Sequence, residues 1–394
     1  MAKDKDTTEA KSRSDAEREK AILREPAEQQ YRVQLEALEQ HDKDTPPSAW
    51  KLSPRSVLAY IVGMPKPLKA TIDGKAQEVA ITRKFFGDDS IVERAIVTLA
   101  SERALLLVGE PGTGKSWLSE HLAAAIAGKS TLTIQGTAGT TEDQIKYSWN
   151  VARVIAEGPK PENMIPSPTM VAMRIGGLLR FEEITRCVPD VQDALVSILS
   201  DKNIAVPELP DANMVFARPG FNIIATANSR DQGVNELSAA LKRRFNYVHI
   251  PIVADQKTEI AIVRDRSKEL LERYKIPAKI EQPVLEVLAT VFREMRAGTT
   301  ADGVSFQKVS TTLSTAEAIG VALDSAIRAR YFGDGSVSVE EVARNLVGSV
   351  VKEDLDDLKV LKEYLNVVAK KRGAKDASWK AFHDAASKAV TAAS

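Results

Sequence analysis

Residues 104–117 read Ala104-Leu-Leu-Leu-Val108-Gly109-Glu110-Pro111-Gly112-Thr113-Gly114-Lys115-Ser116-Trp117. Four consecutive large apolar residues followed by a glycine-rich octapeptide predict a buried strand running into a tight loop. A helix then carries Trp117, Leu118, Leu122 and Ala125 on one side. The octapeptide fits G-x-x-x-x-G-K-[ST]. Gly109, Gly112 and Gly114 let successive backbone N–H groups face one anion, and the helix N-terminus adds its dipole. Lys115 is suited to neutralise β and γ phosphates, and the Ser116 hydroxyl to ligate Mg²⁺. The predicted nucleotide-binding set is therefore Gly109, Glu110, Pro111, Gly112, Thr113, Gly114, Lys115, Ser116 and Trp117.

Such a loop needs acidic groups at the end of a neighbouring strand, and Gly176-Gly-Leu-Leu-Arg-Phe-Glu182-Glu183-Ile-Thr-Arg186 offers an apolar strand ending in two carboxylates. Two acids opening a helix would also suit the helix dipole. As chemistry, Glu182 orients the Mg²⁺ shell and Glu183 is the base that polarises the attacking water. Phe221-Asn-Ile-Ile-Ala-Thr-Ala-Asn228 is a third buried strand, ending in an amide that can hold a water without competing for its proton. Downstream, Lys242, Arg243 and Arg244 precede Phe245. These cations could solvate a helix end; alternatively Arg244, with Arg243 as its competitor, reaches the nucleotide site of an adjacent subunit and stabilises transition-state charge.

Around this centre the chain has 394 residues, 54 Lys plus Arg against 54 Asp plus Glu, one cysteine and four histidines. The balanced charge supplies no overall field for nucleic acid or an anionic membrane, and the single cysteine excludes an internal disulfide framework. Cys187 reads as a buried structural thiol and His121 as a packing residue. No run approaches the length of a membrane span, and the chain is predicted to be soluble and cytoplasmic. Residues 1–48 read as a polar leader, partly disordered or helical, with Tyr31, Leu35 and Leu38 on one stripe; 49–79 as an N-terminal packing segment; and 80–252 as a three-layer α/β domain. Residues 253–372 are predicted to form an all-helical domain, with Leu358, Leu361, Leu365 and Val368 at spacings of three and four. Residues 373–394 read as a tail in which Trp379 and Phe382 could anchor a short helix.

The order of GEPGTGKS, LLRFEEITRCVPDVQDALVSIL, FNIIATAN and LSAALKRRF resembles the AAA+ ATPases, and among them the MoxR-like, dynein-related group. The resemblance implies a five-stranded parallel sheet with a helical lid, and closed homo-oligomeric rings, commonly hexamers, with ATP and Mg²⁺ at subunit interfaces. It further implies two inserted hairpins, near residues 149–165 and 204–217, the second turning at Pro210-Asp211. A protein client is implied as well, in this group often a von Willebrand factor A-domain protein. Two positions depart from the family pattern. An Asp is usual where Glu182 stands, so the metal contact is expected to shift or pass through water. The lid arginine of a [ST]-x-R motif falls on Ala316, after Ser314 and Thr315, leaving either Lys308 or a later arginine to substitute or a subunit that senses nucleotide less tightly. Arg186 matches a family arginine that could act across the interface or in a local ion pair. Ring-forming remodelling of a protein client is the leading reading. A nucleic-acid motor or restriction-type NTPase, a metal-chelatase or gas-vesicle assembly ATPase, and a weakly hydrolysing nucleotide-dependent scaffold are the alternatives. No N-K-x-D guanine-reading motif occurs, which favours ATP over GTP.

Overall fold

The computed structural model describes residues 23–101, 103–209, 214–229, 235–253, 255–310, 313–352 and 355–392. Its centre is a parallel sheet of β1 (Ala104–Gly109), β2 (Thr133–Gln135), β3 (Leu178–Glu182), β4 (Asn222–Asn228) and β5 (Phe245–His249). Laterally the order is β5-β1-β4-β3-β2, so β1, β4 and β3 are flanked on both sides. These interior strands are the near-continuous apolar runs of the sequence, as burial on both faces requires. Alternation along each strand divides the side chains between two cores. Leu105, Leu107, Leu178 and Ile224 face a layer containing the helices Asp89–Ala100 and Lys115–Ala127. Ala104, Leu106, Leu179 and Ile223 face the layer of Pro168–Ile175 and Pro189–Ser200. The predicted five-stranded, three-layer α/β architecture is thus present.

The chain before β1 closes the first of these cores. Helices Arg32–His41 and Pro54–Val62 and the antiparallel ribbon Leu68–Ile72/Lys75–Val79 contribute Ala37, Leu38, Tyr60, Ile61 and Ile72 to it. The leader's apolar stripe is therefore a packing stripe from Ala27 onward; the rest of that leader, before Leu23, lies outside the described residues.

Two antiparallel hairpins are inserted in the α/β body and pack against its second core. One pairs Tyr147–Trp149 with Met164–Pro166 and encloses the helix Val151–Glu157; the other pairs Asn203–Ala205 with Met214–Phe216. Glu208 ties them together, accepting from Tyr147 Oη at 2.8 Å and Trp149 Nε1 at 3.3 Å. The turn expected at Pro210-Asp211 lies outside the described residues.

From Gln256 the described chain is predominantly helical around a separate core that includes Leu358, Leu361, Leu365 and Val368. This core does not stop near Arg372. The helix Ala377–Ala392 buries Phe382, Ala386 and Val390 in it, a spacing of four that puts them on one face. Arg372 itself is a structural residue. Its guanidinium forks onto the buried Glu294 carboxylate at 2.8 and 2.9 Å, and Tyr364 Oη donates to the same group at 2.8 Å. Among the described residues no helix is long and apolar enough to cross a membrane.

Candidate active site

β1 delivers the chain into the loop at Gly109, where a side chain cannot fit: a Cβ would stand 2.5 Å from Ile250 O. Gly112 and Gly114 have φ of 75° and 86°, a region that only glycine enters without cost. Gly114 is the N-cap of the helix Lys115–Ala127, so the loop runs directly into a helix N-terminus. Lys115 is buried and folds back over the loop, its Nζ donating to Gly109 O at 3.0 Å and Glu110 O at 2.8 Å.

Two strands bring the acids alongside. Glu182, the last residue of β3, is 4% exposed. Its Oε2 accepts from Ser116 Oγ at 2.6 Å and Thr226 Oγ1 at 2.8 Å; its Oε1 accepts from Ser119 Oγ at 2.7 Å and Arg180 Nη2 at 2.9 Å. Among the described residues no group of three His, Cys, Asp or Glu side chains could hold a metal. A hydroxyl beside a single carboxylate is nevertheless the hard-oxygen set that suits Mg²⁺, which takes its remaining oxygens from phosphate and water. Ser116 and Glu182 would hold it.

Glu183 leaves the strand in the left-handed region, at φ 53°. Such a conformation costs a non-glycine residue roughly 1–2 kcal/mol, offset here by the bond from its N–H to Thr226 Oγ1 at 2.9 Å. Its partly exposed carboxylate meets Arg186 Nε at 2.5 Å, so Arg186 forms the local ion pair within the subunit. Asn228 ends β4 in register with Gly109, and the next amide, Ser229 N–H, donates to Gly109 O at 3.2 Å. Loop, Glu182, Glu183 and Asn228 therefore meet at the C-terminal ends of the strands.

Arg243 and Arg244 do not join them. Phe245 pairs with Ala104, at the start of β1, whereas the phosphate loop begins at its end. The five intervening steps span roughly 17 Å. Arg244 is spent locally, with Nε donating to Ser200 Oγ at 2.5 Å and Nη1 to Ala240 O at 2.6 Å. The Arg243 carbonyl accepts from Arg103 at 3.2 Å.

Over the loop lies a cavity of about 520 Å³, with apolar walls from Phe86, Ile252, Val253, Ile262 and Ile319. The helical C-terminal region forms one side of it. Ser314 caps the helix Thr315–Phe332 and stands so close to Gly112 that a Cβ there would meet its Oγ at 2.5 Å. Ala316 lines the cavity without a charge, but Arg266 and Arg296 line it too. Arg266 stacks on Trp117, 3.4 Å from the ring centroid, and Trp117 Nε1 donates to Lys84 O at 2.9 Å. Arg296 is held by the fully buried Glu259 at 3.0 Å. Burial, helped by Arg266, pushes the Lys84 ammonium down to about 7. Burial likewise holds His121 well below its ordinary value, and its Nδ1 lies 2.9 Å from Tyr60 Oη, a packing role. Cys187 is buried and its thiol is pushed up by desolvation. Sequence reasoning missed Arg180, Ser119 and Thr226. The one available signal was an arginine two residues before Glu182 in an otherwise apolar strand, since period two places both on one face.

Comparison with known proteins bears on the family. The profile of the AAA domain (dynein-related subfamily) matches residues 104–245, and that of the YehL-like AAA+ ATPase C-terminal domain matches residues 257–389. The uncharacterized protein YehL of Escherichia coli K12 is 42% identical over 365 residues, covering 92% of this chain and 97% of YehL. An uncharacterized Staphylococcus haemolyticus protein, SH1500, is 27% identical over 167 residues, covering 42% of this chain and 62% of that protein. Among solved structures, NtrX from Brucella abortus in complex with ADP aligns with a TM-score of 0.47 at 14% identity, over 76% of this chain and 64% of that one. A mutant RuvB from Thermotoga maritima aligns with a TM-score of 0.44 at 17% identity, over 73% of this chain and 82% of that one. With a dynein-related AAA domain followed by a YehL-like C-terminal domain, and a relative 42% identical along nearly its whole length, the chain belongs to the YehL-like AAA+ ATPases.

Proposed function

We propose that this ATPase works as a closed homo-oligomeric ring, a hexamer, that uses Mg²⁺-dependent ATP hydrolysis to remodel or mature a protein partner. The observation that carries the reading is the division of the machinery between the two ends of the sheet. The loop, Glu182, Glu183 and Asn228 lie at one end, and Arg244 emerges at the other, beyond reach of its own loop. A site built this way is completed by the Arg244 of a neighbouring subunit, which makes turnover depend on assembly.

Within the site, Lys115 and the loop amides bind and orient the phosphates, and Ser116 with Glu182 would hold the metal. Bound Mg²⁺ would neutralise charge on the β and γ oxygens. Glu183 takes the proton of the attacking water, and Asn228 positions that water. Glu183 is paired with Arg186 at 2.5 Å and must exchange that partner for water during turnover. Two tied insertions expose Val151, Ile155 and Phe216 at 67%, 82% and 64%. Apolar side chains left in solvent on these insertions suit contact with a protein, and a von Willebrand factor A-domain protein is the partner class to test first.

Glu183→Gln should leave ATP binding intact and abolish phosphate release; full turnover in that variant would exclude Glu183 as the base. Light scattering with and without nucleotide tests the ring. The Glu183–Arg186 pair also favours a second reading, a nucleotide-dependent scaffold with slow hydrolysis. Phosphate release by the assembled protein decides between the two.

A further inference from the structure

One of the side chains bonded to the metal-directed carboxylate, and not used by the ATPase reading, is a cation. Arg180 lies on β3 two residues before Glu182 and faces the same layer, the phosphate-loop helix; it is 9% exposed. Each of its nitrogens is committed. Nε donates to Ser119 Oγ at 3.0 Å, Nη1 to Ser130 O at 3.1 Å, and Nη2 to both Ser116 O at 3.0 Å and Glu182 Oε1 at 2.9 Å. The guanidinium therefore holds the backbone of the residue that supplies the metal-directed hydroxyl, and neutralises the carboxylate beside it.

Orientation alone does not require this arrangement. Three hydroxyls, from Ser116, Ser119 and Thr226, already fix both oxygens of Glu182. What Arg180 adds is charge: a buried +1 within one hydrogen bond of the only carboxylate in contact with Ser116 among the described residues. Where water is largely excluded, such a cation both competes for the carboxylate and repels a divalent ion.

We propose that Arg180 is a built-in counter-cation that raises the Mg²⁺ requirement of the nucleotide site, so that the metal is retained only together with the phosphates that bring it. Arg180 is here a positioning and charge-setting residue, acting both on Glu182 and on the field at the metal position. The inference rests on the Mg²⁺ reading of Ser116 and Glu182.

The test is equilibrium binding of ADP to the full chain, by calorimetry, across a Mg²⁺ titration. Arg180→Met is expected to lower the Mg²⁺ concentration that half-maximally tightens ADP binding by at least about tenfold, whereas Arg180→Lys, which keeps the charge, stays close to the unaltered protein. An unchanged or increased requirement in Arg180→Met would overturn the inference. Should Arg180→Met fail to fold, the neutral-for-neutral pair Arg180→Met/Glu182→Gln is compared with Glu182→Gln alone, which leaves the cation unbalanced. The double variant is expected to respond to Mg²⁺ more strongly than the single one, and equal responses would refute a charge role. If Mg²⁺ has no effect on ADP binding by the unaltered protein, the metal reading itself fails, an outcome distinct from an equal effect in unaltered and Arg180→Met proteins.

Discussion

The separation of Arg244 from its own phosphate loop makes a quantitative prediction about mixed assemblies. Arg244 sits beside the first residue of β1 and the loop begins at the last. That distance, roughly 17 Å of strand, exceeds the extension of an arginine side chain. Each site would then need Glu183 from one subunit and Arg244 from the next. Arg244→Ala alone should lower kcat by roughly a thousandfold or more, the usual worth of an arginine finger. Its loss from the fold is small, since the bonds to Ser200 and Ala240 are solvent-exposed and amount to about 1 kcal/mol. Glu183→Gln alone should also be silent. Mixed in equal amounts and reassembled, the two silent chains place an intact Glu183 against an intact Arg244 at about one interface in four, provided neighbouring sites fire independently. Phosphate release should then recover to about a quarter of the unaltered rate. Mixed assemblies that co-purify through two different tags yet stay silent would refute action across the interface, and an Arg244→Ala protein of normal activity would exclude Arg244 as the finger. Arg243→Ala is the parallel arm: if Arg243 is the finger, it and not Arg244→Ala falls silent and is rescued by mixing.

Thr226 bridges the two acids, donating to Glu182 and accepting from the Glu183 amide. Thr226→Val should therefore reduce kcat by about ten- to a hundredfold while ADP affinity measured by calorimetry stays nearly constant. Arg372→Leu strands Glu294, which is 1% exposed, without its cation and should cost about 3–5 kcal/mol in urea unfolding followed by circular dichroism; a loss below about 1 kcal/mol would remove Arg372 from the C-terminal core. Lys84, pushed down to about 7 by burial and by Arg266, is held below its unfolded value of 10.5. The folded chain therefore binds fewer protons than the unfolded one between those values, so this cost is fully present below pH 7 and is relieved as pH rises toward 10.5. Compared with Lys84→Met, the unaltered protein should gain about 2 kcal/mol between about pH 7 and 9, and parallel stability curves would show that Lys84 is not the titrating group.

What could be read in the sequence follows from how locally each feature is determined. The phosphate loop was legible because strand, glycines, lysine and helix are contiguous, and β3 and β4 because a strand buried on both faces has to be apolar almost throughout. The final helix was weakly legible, since Ala386 supplies part of its periodic signal and alanine says little about burial. Arg180 was hidden for a different reason. Its hydrogen-bond partners Ser119 and Ser130 lie 61 and 50 residues earlier in the chain, and only the parallel sheet brings them beneath it. Glu183 shows the same limit in its backbone. Nothing in Glu-Glu-Ile announces a left-handed residue, yet at φ 53° its carbonyl passes so close to Gly136 that a Cβ there would stand 2.4 Å away. Gly136 N–H meanwhile donates to Glu182 O at 2.7 Å. The turn that aims Glu183 is thus set jointly by a glycine after β2, a hydroxyl on β4 and the end of β3, three strands that are neighbours only once the sheet has formed. A motif can name a candidate acid; the residues that aim it belong to the sheet, and reading them requires the fold.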